Sequence, residues 1–257
     1  MWLNLGAVEQ RLMTRFVGRC VVYLTSTGST MDDARREAEA GAAEGTAVLA
    51  EAQTKGRGRF DRAWVSPAGK NLYLTLVMRP PMVRLRSLSI VTPLAVALAV
   101  EEVTGLRPRI KWPNDVLIDG RKLSGILIES EIAGSQVEYA LVGPGINVNY
   151  DIEQSPEIAA IATSIKRELG YETSREELLA AFLNRFEALY ENAPKSVSVF
   201  EQWRERLDTL GREVRVTFGD QLYEGMAEDV DRHGNLILAE PDGTRRTVEA
   251  GEVTLRA

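Results

Sequence analysis

Apolar and polar positions alternate along the first 209 residues in patterns that predict strands and helices. Short apolar segments rich in β-branched residues predict strands at Val21–Leu24, 46–52 and 71–78. Residues 88–103 are apolar on nearly every side, which predicts a buried helix, with Pro93 either in its first turn or at a bend.

Capping signals mark where further helices begin. Ser29 or Thr30 can cap a first helix, because acidic residues follow three positions later. Ser174 and Glu177 form a second such pair, and apolar residues then recur at helical spacing. One more helix is expected across residues 200–207.

A hairpin is predicted in the middle of the chain. Asp119 and Gly120 form a two-residue turn signal of the type I′ kind between two apolar segments. Residues 136–142 predict the next antiparallel strand, which runs into GPGIN at 143–147. The glycines of GPGIN permit either a tight turn or a close approach of the backbone to a neighbour.

The pattern changes after Gly211. Five short alternating segments separated by turn residues predict a small SH3-like β-barrel. We therefore predict an α+β fold in two domains. Residues 1–209 would form a mixed or antiparallel sheet with flanking helices, and residues 210–257 would form the C-terminal β domain.

Composition excludes several classes of protein. With one cysteine and one histidine in 257 residues, the chain has neither a disulfide framework nor a Cys- or His-rich metal site. We expect Cys20 to be a small core residue. The longest apolar run is about 13 residues, too short to span a bilayer. With no signal peptide evident, we expect a soluble cytoplasmic protein.

Residues 55–63, which we call the arginine loop, contrast with the net charge of −6. They place Lys55, Arg57, Arg59 and Arg62 close together, with glycines between the first three. Arginine suits carboxylates and phosphates, and crowded cations repel one another, so we predict a mobile loop that orders around an anionic ligand. The alternatives are a solvated surface loop or an RNA-binding patch, and the sequence pI of about 5.2 disfavours RNA.

Four motifs occur in a fixed order along the chain. The arginine loop contains GRGR and continues into WVSPAGKNLY at 64–73, followed by KWPND at 111–115, RKLSGIL at 121–127 and GPGIN. This ordered set resembles the catalytic domain of biotin protein ligases, and TSTGST at 25–30 resembles that family's biotin-contacting Ser-Thr segment. With the terminal β module included, the resemblance covers residues 20–257.

The resemblance implies a two-step, ATP-dependent reaction. Biotin and ATP would form biotinyl-5′-AMP, and a lysine of a biotin carboxyl carrier protein domain would then accept the biotin. ATP, biotin and Mg²⁺ are the implied cofactors. A lipoate or octanoate transferase shares the broad fold and is the second enzyme hypothesis, although the motif series matches the biotin branch.

The resemblance also implies site residues. Lys122, Arg59 and Lys111 would be catalytic, and Asp115 would serve Mg²⁺. The biotin-binding set is Ser29, Thr30, Met31, Gln53, Arg57, Gly58, Arg59, Lys122, Gly125, Gly143 and Gly145. The ATP-binding set is Arg57, Arg59, Arg62, Trp64, Lys111, Asn114, Asp115, Lys122 and Asn147.

Each assignment has a purely structural alternative. Ser29 and Thr30 would serve only as helix caps, Lys122 would be a solvated residue after a turn, and Asp115 would be an Asx-turn residue beside Pro113. The two glycines of GPGIN would form a plain turn, since that spacing alone is no nucleotide fingerprint.

The chain also departs from the family pattern. Met31 replaces a polar residue, Asp61 replaces a glycine, and Pro144 stiffens GPGIN. About 20 residues precede the first strand, too few for a winged helix-turn-helix. We therefore expect a monofunctional ligase with no DNA or membrane partner, and a homodimer through a sheet edge is possible.

Overall fold

The structure is a computed structural model that describes residues 2–193, 197–249 and 251–255. Its helices, in chain order, are α1 (Leu5–Glu9), α2 (Thr30–Glu39), α3 (Met82–Leu85), α4 (Leu88–Thr104), α5 (Pro156–Ala159), α6 (Ile165–Leu169), α7 (Arg175–Asn192) and α8 (Val197–Glu205). Its strands are β1 (Val21–Leu24), β2 (Thr46–Ala50), β3 (Leu72–Met78), β4 (Arg109–Lys111), β5 (Asp115–Ile118), β6 (Arg121–Ala133), β7 (Gln136–Ile146), β8 (Glu213–Phe218), β9 (Gln221–Val230), β10 (Leu236–Ala239), β11 (Arg245–Val248) and β12 (Glu252–Leu255).

The strands of the described residues form two sheets. In the larger one the order is β1-β2-β3-β7-β6-β5-β4, and in the smaller one it is β11-β10-β9-β8-β12. Strands β1 and β2 pair in parallel, and the other neighbours pair antiparallel. The predicted α+β fold with a C-terminal β module is therefore confirmed.

Helices cover both faces of the larger sheet. On one face, α2 packs Ala34 and Ala38 against Val48 of β2 and Val77 of β3. On the other face, α4 and α7 pack together over the apolar strand residues that alternate with Val48 and Val77, such as Leu76. This alternation is the period-two pattern of a strand buried on both faces.

The buried apolar cluster continues into the smaller sheet. Val214, Val216 and Leu236 belong to the same cluster as the residues of α4. The indole N–H of Trp112 donates to the carbonyl of Gly234 at 2.8 Å. The C-terminal sheet is thus packed against the first part of the chain, and a domain boundary after residue 209 stays a prediction.

Most local predictions hold. Ser29 is the N-cap of α2 and Ser174 is that of α7. Asp119 and Gly120 have φ angles of 47° and 75°, as a type I′ turn requires. Pro93 lies in the second turn of α4, so its placement in the first turn is wrong and a bend there stays a prediction. Cys20 is exposed, so its assignment to the core is wrong.

No helix among the described residues has the length and apolar character needed to cross a bilayer.

A buried ion pair fixes both ends of the segment that carries the arginine loop. Arg175 Nη1 lies 2.7 Å from Glu51 Oε2, and the two side chains are 6% and 1% exposed. The same nitrogen donates to the carbonyl of Asn71 at 3.1 Å. Glu51 also accepts hydrogen bonds from the hydroxyl of Tyr23 and from the backbone N–H of Leu3, the latter at 2.6 Å.

The hydrogen bonds decide the ionisation of this pair. Burial alone raises the pKa of Glu51, but hydrogen bonds from Arg175, Tyr23 and Leu3 outweigh it and leave the pKa below its usual value. Burial, together with the bond to Glu51, raises the pKa of Tyr23 to about 12. Glu51 is therefore a carboxylate and Tyr23 a neutral donor at neutral pH.

We predict that Glu51→Gln lowers the free energy of unfolding by about 3–5 kcal/mol at pH 7, because it leaves Arg175 charged and buried. Because the folded-state pKa of Glu51 is lowered, its stabilising effect is complete above the unfolded pKa of about 4.3 and is lost as pH falls through the folded value. Urea unfolding at pH 7 and at acidic pH should thus show the difference from the unsubstituted protein shrinking in acid.

The matched control is Glu102→Gln, which removes an exposed pair with Arg185 at 2.7 Å and should cost less than about 1 kcal/mol. An equal loss in both variants would contradict a special role for the buried pair.

Candidate active site

The arginine loop is folded against the sheet. The N–H of Gly58 donates to the carbonyl of Arg62 at 2.7 Å, and that of Trp64 donates to Gly56 at 2.9 Å. The N–H of Lys55 reaches the carbonyl of Gly28 at 2.7 Å, next to the start of α2. The loop therefore closes on the Ser-Thr segment that the sequence also singled out.

Three loop arginines contact three different parts of the chain. Arg57 pairs with Asp32 of α2 at 2.6 Å. Arg59 Nη1 donates to Asn114 Oδ1 at 3.1 Å. Arg62 pairs with Glu252 of β12 at 2.5 Å. Each arginine thus has its own partner in a different part of the chain, and this reduces the repulsion between the cations of the loop.

A small cavity lies under the loop. Its volume is about 40 Å³, enough for about one water molecule and far below the 300–1,000 Å³ of typical ligand sites. All of the predicted biotin-binding residues line it, together with Trp64, Tyr73, Leu74, Thr75, Asn114, Ile126, Leu127 and Pro144. The structure therefore brings the predicted set together around one cavity, which must enlarge to hold a ligand of biotin's size.

Polar groups at the base of this cavity form a chain of hydrogen bonds. Gln53 Oε1 accepts from the N–H of Thr30 at 2.9 Å and from its hydroxyl at 3.1 Å. Thr75 Oγ1 lies 3.0 Å from Thr30 Oγ1. Gln53 Nε2 donates to Ser66 Oγ at 3.0 Å. Ser29 caps α2, with its Oγ accepting from the N–H of Met31 at 3.3 Å.

A larger cavity of about 520 Å³ adjoins the first. The predicted ATP-binding residues other than Arg57 line it; these are Arg59, Arg62, Trp64, Lys111, Asn114, Asp115, Lys122 and Asn147. Arg57 lines only the smaller cavity. Five residues line both cavities: Gly58, Arg59, Trp64, Asn114 and Lys122. They form the junction between the cavities.

Two cations lie at this junction. Lys122 Nζ is 2.7 Å from Asp115 Oδ1, in an ion pair that lacks the direction of a good hydrogen bond, and 5.5 Å from the centre of the Trp64 ring. The Lys122 side chain is 31% exposed, so it does not project freely into solvent. Burial lowers the pKa of Arg59, and Asp115 and Glu252 only partly offset that effect. An anionic ligand would relieve this cost.

The remaining polar residues of the larger cavity differ in how far they are already engaged. Lys111 is half-buried and makes no side-chain hydrogen bond or ion pair within the described part of the chain. Asn114 Nδ2 donates to the carbonyl of Ile126 at 2.8 Å, while its Oδ1 accepts from Arg59. Asn147 Nδ2 donates to the carbonyl of Thr163 at 3.1 Å. Lys111 is therefore the group most available to phosphate.

The residues present fit Mg²⁺ as an ion held jointly with ATP. The described residues contain no cluster of three or more His, Cys, Asp or Glu side chains that could hold a metal by themselves. Mg²⁺ is usually bound through one or two carboxylates and the substrate phosphates. Asp115 lines the larger cavity and can supply one carboxylate, so its role toward Mg²⁺ stays a prediction.

Close packing explains the glycines of this site. A Cβ atom on Gly145 would lie 2.6 Å from Trp64 Nε1, and one on Gly143 would lie 2.6 Å from Met31 Sδ. Strand β7 runs through both positions, so GPGIN provides a close approach and not a turn. Met31 fills the space beside Gly143 with an apolar side chain.

Sequence reasoning missed several residues that line the two cavities, and Thr75 and Glu252 are two of them. Thr75 is fully buried in the middle of an apolar strand, and its isolated polarity was a usable signal. Glu252 gave no such signal, because only the packing of β12 brings it to Arg62.

We predict that Gly145→Ala displaces Trp64 and loosens the arginine loop, because no Cβ fits between them. Limited trypsin digestion should cleave within residues 55–63 at least several times faster than in the unsubstituted protein. Gly6→Ala, whose Cβ would meet only Asn4 Oδ1 at 3.4 Å, is the matched control and should leave cleavage unchanged. Equal cleavage of all three proteins would refute the packing argument.

Comparison with known proteins identifies the family. Residues 21–147 match the Biotin/lipoate A/B protein ligase family, and residues 209–256 match the Biotin protein ligase C terminal domain. The biotin–[acetyl-CoA-carboxylase] ligase of Mycobacterium tuberculosis is 35% identical, over 95% of this chain and 94% of its own. The ligase of the same name from Paracoccus denitrificans is 37% identical, over 80% of this chain and 88% of its own.

Two further similar proteins are a bifunctional ligase/repressor and a ligase of known structure. The bifunctional ligase/repressor BirA of Bacillus subtilis is 32% identical, over 96% of this chain and 78% of its own. The biotin protein ligase of Aquifex aeolicus in complex with biotin and ATP superposes with a TM-score of 0.80 and 32% identity, over 93% of this chain and 99% of that chain. With the fold, the motifs and these relatives in agreement, the chain belongs to the biotin protein ligase family.

Proposed function

We propose that both steps of the biotin–protein ligase reaction take place at the junction of the two cavities. The chain is an ATP-dependent ligase that forms biotinyl-5′-AMP and transfers biotin to a lysine of a carrier domain. The observation that carries the proposal is that Arg59 and Lys122 line both the smaller cavity, where biotin would lie, and the larger one, where ATP would lie.

In the first step, the biotin carboxylate attacks the α-phosphorus of ATP and pyrophosphate leaves. Two unit charges of like sign 4 Å apart repel by about 1 kcal/mol in water and by about 4 kcal/mol at an effective dielectric of 20. Lys122 and Arg59 offset this repulsion from the junction, and Lys111 and Arg62 hold the phosphates that leave. Bound Mg²⁺ would supply further neutralisation of the phosphate charge.

The smaller cavity holds biotin. Its ureido ring and chain require hydrogen-bonding groups within an otherwise apolar pocket, and Ser29, Thr30 and Gln53 supply them at its base. Gly125, Gly143 and Gly145 let the ligand approach the backbone. Arg57, Gly58 and Trp64 close over it and exclude water from the anhydride.

In the second step, the ε-amine of the acceptor lysine attacks the carbonyl carbon of biotinyl-5′-AMP. A C–N bond forms, the nitrogen releases a proton to solvent, the C–O bond to phosphate breaks, and AMP leaves. Lys122 and Arg59 stabilise the negative charge that returns to the phosphate as AMP departs. The same two cations therefore serve both steps.

The identity of the acceptor, the assembly state and the location of the chain belong to the proposal. The names of the similar carboxylase ligases support a carrier domain of acetyl-CoA carboxylase as acceptor. The net charge of −6 disfavours binding to a phosphate backbone, so the proposal includes no DNA partner. We also propose that the chain forms a homodimer through a sheet edge. We propose a cytoplasmic location, where ATP is available.

The test is to incubate the protein with ATP, Mg²⁺, biotin and an apo carrier domain. The acceptor lysine should become biotinylated, and omission of ATP or biotin should prevent it. Calorimetric titration with biotin and with lipoate separates this function from that of a lipoate ligase. Absence of labelling under these conditions, or tighter binding of lipoate, would refute the proposal.

We predict that Lys122→Met slows adenylate formation by about 10²–10³-fold, the usual effect of removing one charge-stabilising donor. Biotin-dependent exchange of pyrophosphate into ATP measures this step. Thermal melting should change little, because the Lys122 side chain is partly exposed. Lys70→Met removes a surface lysine paired with Glu172 and should leave exchange unchanged. Gross unfolding of Lys122→Met would overturn the assignment.

We predict that Arg59→Gly weakens retention of the adenylate, because it removes both the guanidinium at the junction and the contact that joins the loop to Asn114. The adenylate should leave the enzyme faster, and lysines of unrelated proteins should become labelled. Arg36→Met, on the exposed surface of α2, is the control. An unchanged rate of adenylate release would argue against Arg59 as a closing residue.

A further inference from the structure

A chain of hydrogen bonds joins the middle of the larger sheet to the end of the arginine loop. The hydroxyl of Thr75 donates to Thr30 Oγ1 at 3.0 Å, and the hydroxyl of Thr30 donates to Gln53 Oε1 at 3.1 Å. Gln53 Nε2 donates in turn to Ser66 Oγ at 3.0 Å, and the hydroxyl of Ser66 donates to the carbonyl of Trp64 at 2.8 Å. We call these five residues the polar relay, because each hydroxyl or amide passes a hydrogen bond to the next.

A backbone group sets the direction of the polar relay. The N–H of Thr30 can only donate, and it meets Gln53 Oε1 at 2.9 Å, so the amide oxygen of Gln53 faces Thr30 and the amide nitrogen faces Ser66. Ser66 Oγ therefore accepts from Gln53, which leaves the Ser66 proton for the carbonyl of Trp64. Thr30 occupies both lone pairs of the amide oxygen, so the group that Gln53 keeps for a ligand is its second N–H.

The arginine loop passes directly over the last part of the polar relay. A Cβ atom on Gly56 would lie 2.5 Å from the carbonyl oxygen of Trp64, 2.7 Å from Ser66 Oγ and 3.1 Å from Gln53 Nε2. Because glycine has no Cβ, the loop backbone can cover these three atoms closely. Ser66 is not among the residues that line the two cavities, so we expect it to act on a ligand through Gln53 and Trp64, which both line the smaller one.

The far end of the polar relay lies at the junction of the two cavities. The Trp64 ring packs on Gly145, where a Cβ atom would lie 2.6 Å from the indole nitrogen, and the centre of the ring is 5.5 Å from Lys122 Nζ. The hydrogen bond from Ser66 holds the backbone carbonyl of the same tryptophan. Ser66 therefore helps to hold the indole beside the amine of Lys122.

We propose that Ser66 is a positioning residue that couples the base of the smaller cavity to Trp64. This inference rests on the proposed function and goes beyond it, because it assigns a role to a residue of the WVSPAGKNLY motif that lies outside both cavities. When biotin accepts a hydrogen bond from the free N–H of Gln53, it stabilises one orientation of the amide, and with it the bond from Ser66 to Trp64. Binding of biotin and placement of Trp64 therefore favour each other.

The test is a double-mutant cycle on two hydroxyl groups that are separated by two residues of the polar relay. Ser66→Ala removes one hydroxyl, Thr75→Val removes the other while keeping the shape of the side chain, and Ser66→Thr keeps a hydroxyl. Ser87→Ala is the matched control, because the Ser87 hydroxyl also donates to a backbone carbonyl, that of Arg84, at 2.6 Å. Calorimetric titration gives the Kd for biotin of each protein, and thermal melting shows that each is folded.

We expect Ser66→Ala and Thr75→Val each to raise the Kd for biotin by about fivefold, the usual effect of losing one uncharged hydrogen bond. In the double variant the Kd should rise by less than about tenfold, because the second loss acts on a relay that is already broken, whereas independent sites would give the product, about 25-fold. Ser66→Thr and Ser87→Ala should bind biotin within about twofold of the unsubstituted protein.

Three results would each overturn the inference: a Kd for Ser66→Ala within about twofold of the unsubstituted value, an increase of about 25-fold in the double variant, or binding by Ser66→Thr as weak as that by Ser66→Ala. All three leave the proposed function intact, since the unsubstituted protein still binds biotin and labels the carrier. If the unsubstituted protein did not bind biotin, the proposed function itself would fail, and the inference about Ser66 with it.

Discussion

The buried ion pair between Glu51 and Arg175 is the constraint on which the site depends. Two charges removed from water are tolerated only when their remaining hydrogen bonds are satisfied, and here Tyr23, Leu3 and the carbonyl of Asn71 satisfy them. Because the pair joins residues 51 and 71, it fixes the two ends of the segment that carries the arginine loop. The arginine loop therefore lies between two ends that are held in place.

The partners of the three loop arginines explain how the arginine loop is held in place. Crowded cations alone would keep the loop open until an anion arrived. Instead, Asp32, Asn114 and Glu252 each bind one arginine and hold the loop closed with only a small cavity beneath it. An incoming ligand must compete with these contacts, most of which are partly exposed and individually weak. Each contact that holds the loop is thus weak enough for a ligand to displace it.

Local sequence patterns carried much of the fold. The caps at Ser29 and Ser174 and the turn at Asp119 depend on interactions within a few residues, so they were predictable. Cys20 is exposed although free cysteine is usually buried, because its exposure depends on which segments of the folded chain cover it. The motif residues were assigned through resemblance, and the structure brought the predicted biotin set around one cavity.

The sequence by itself determined the longer helices, most of the strands and the types of side chain at the site, because these follow from local periodicity and from motifs that are contiguous in the chain. It did not predict the short helices α1, α3, α5 and α6 or strand β4. Only the tertiary structure decided that Arg62 meets Glu252, that Arg175 fixes the loop ends, and that Trp64 packs on Gly145. These contacts join residues that are 81 to 190 positions apart in the chain, and no local pattern encodes such a distance. The candidate site forms because the order of strands in the larger sheet and the packing of the smaller sheet bring these segments together.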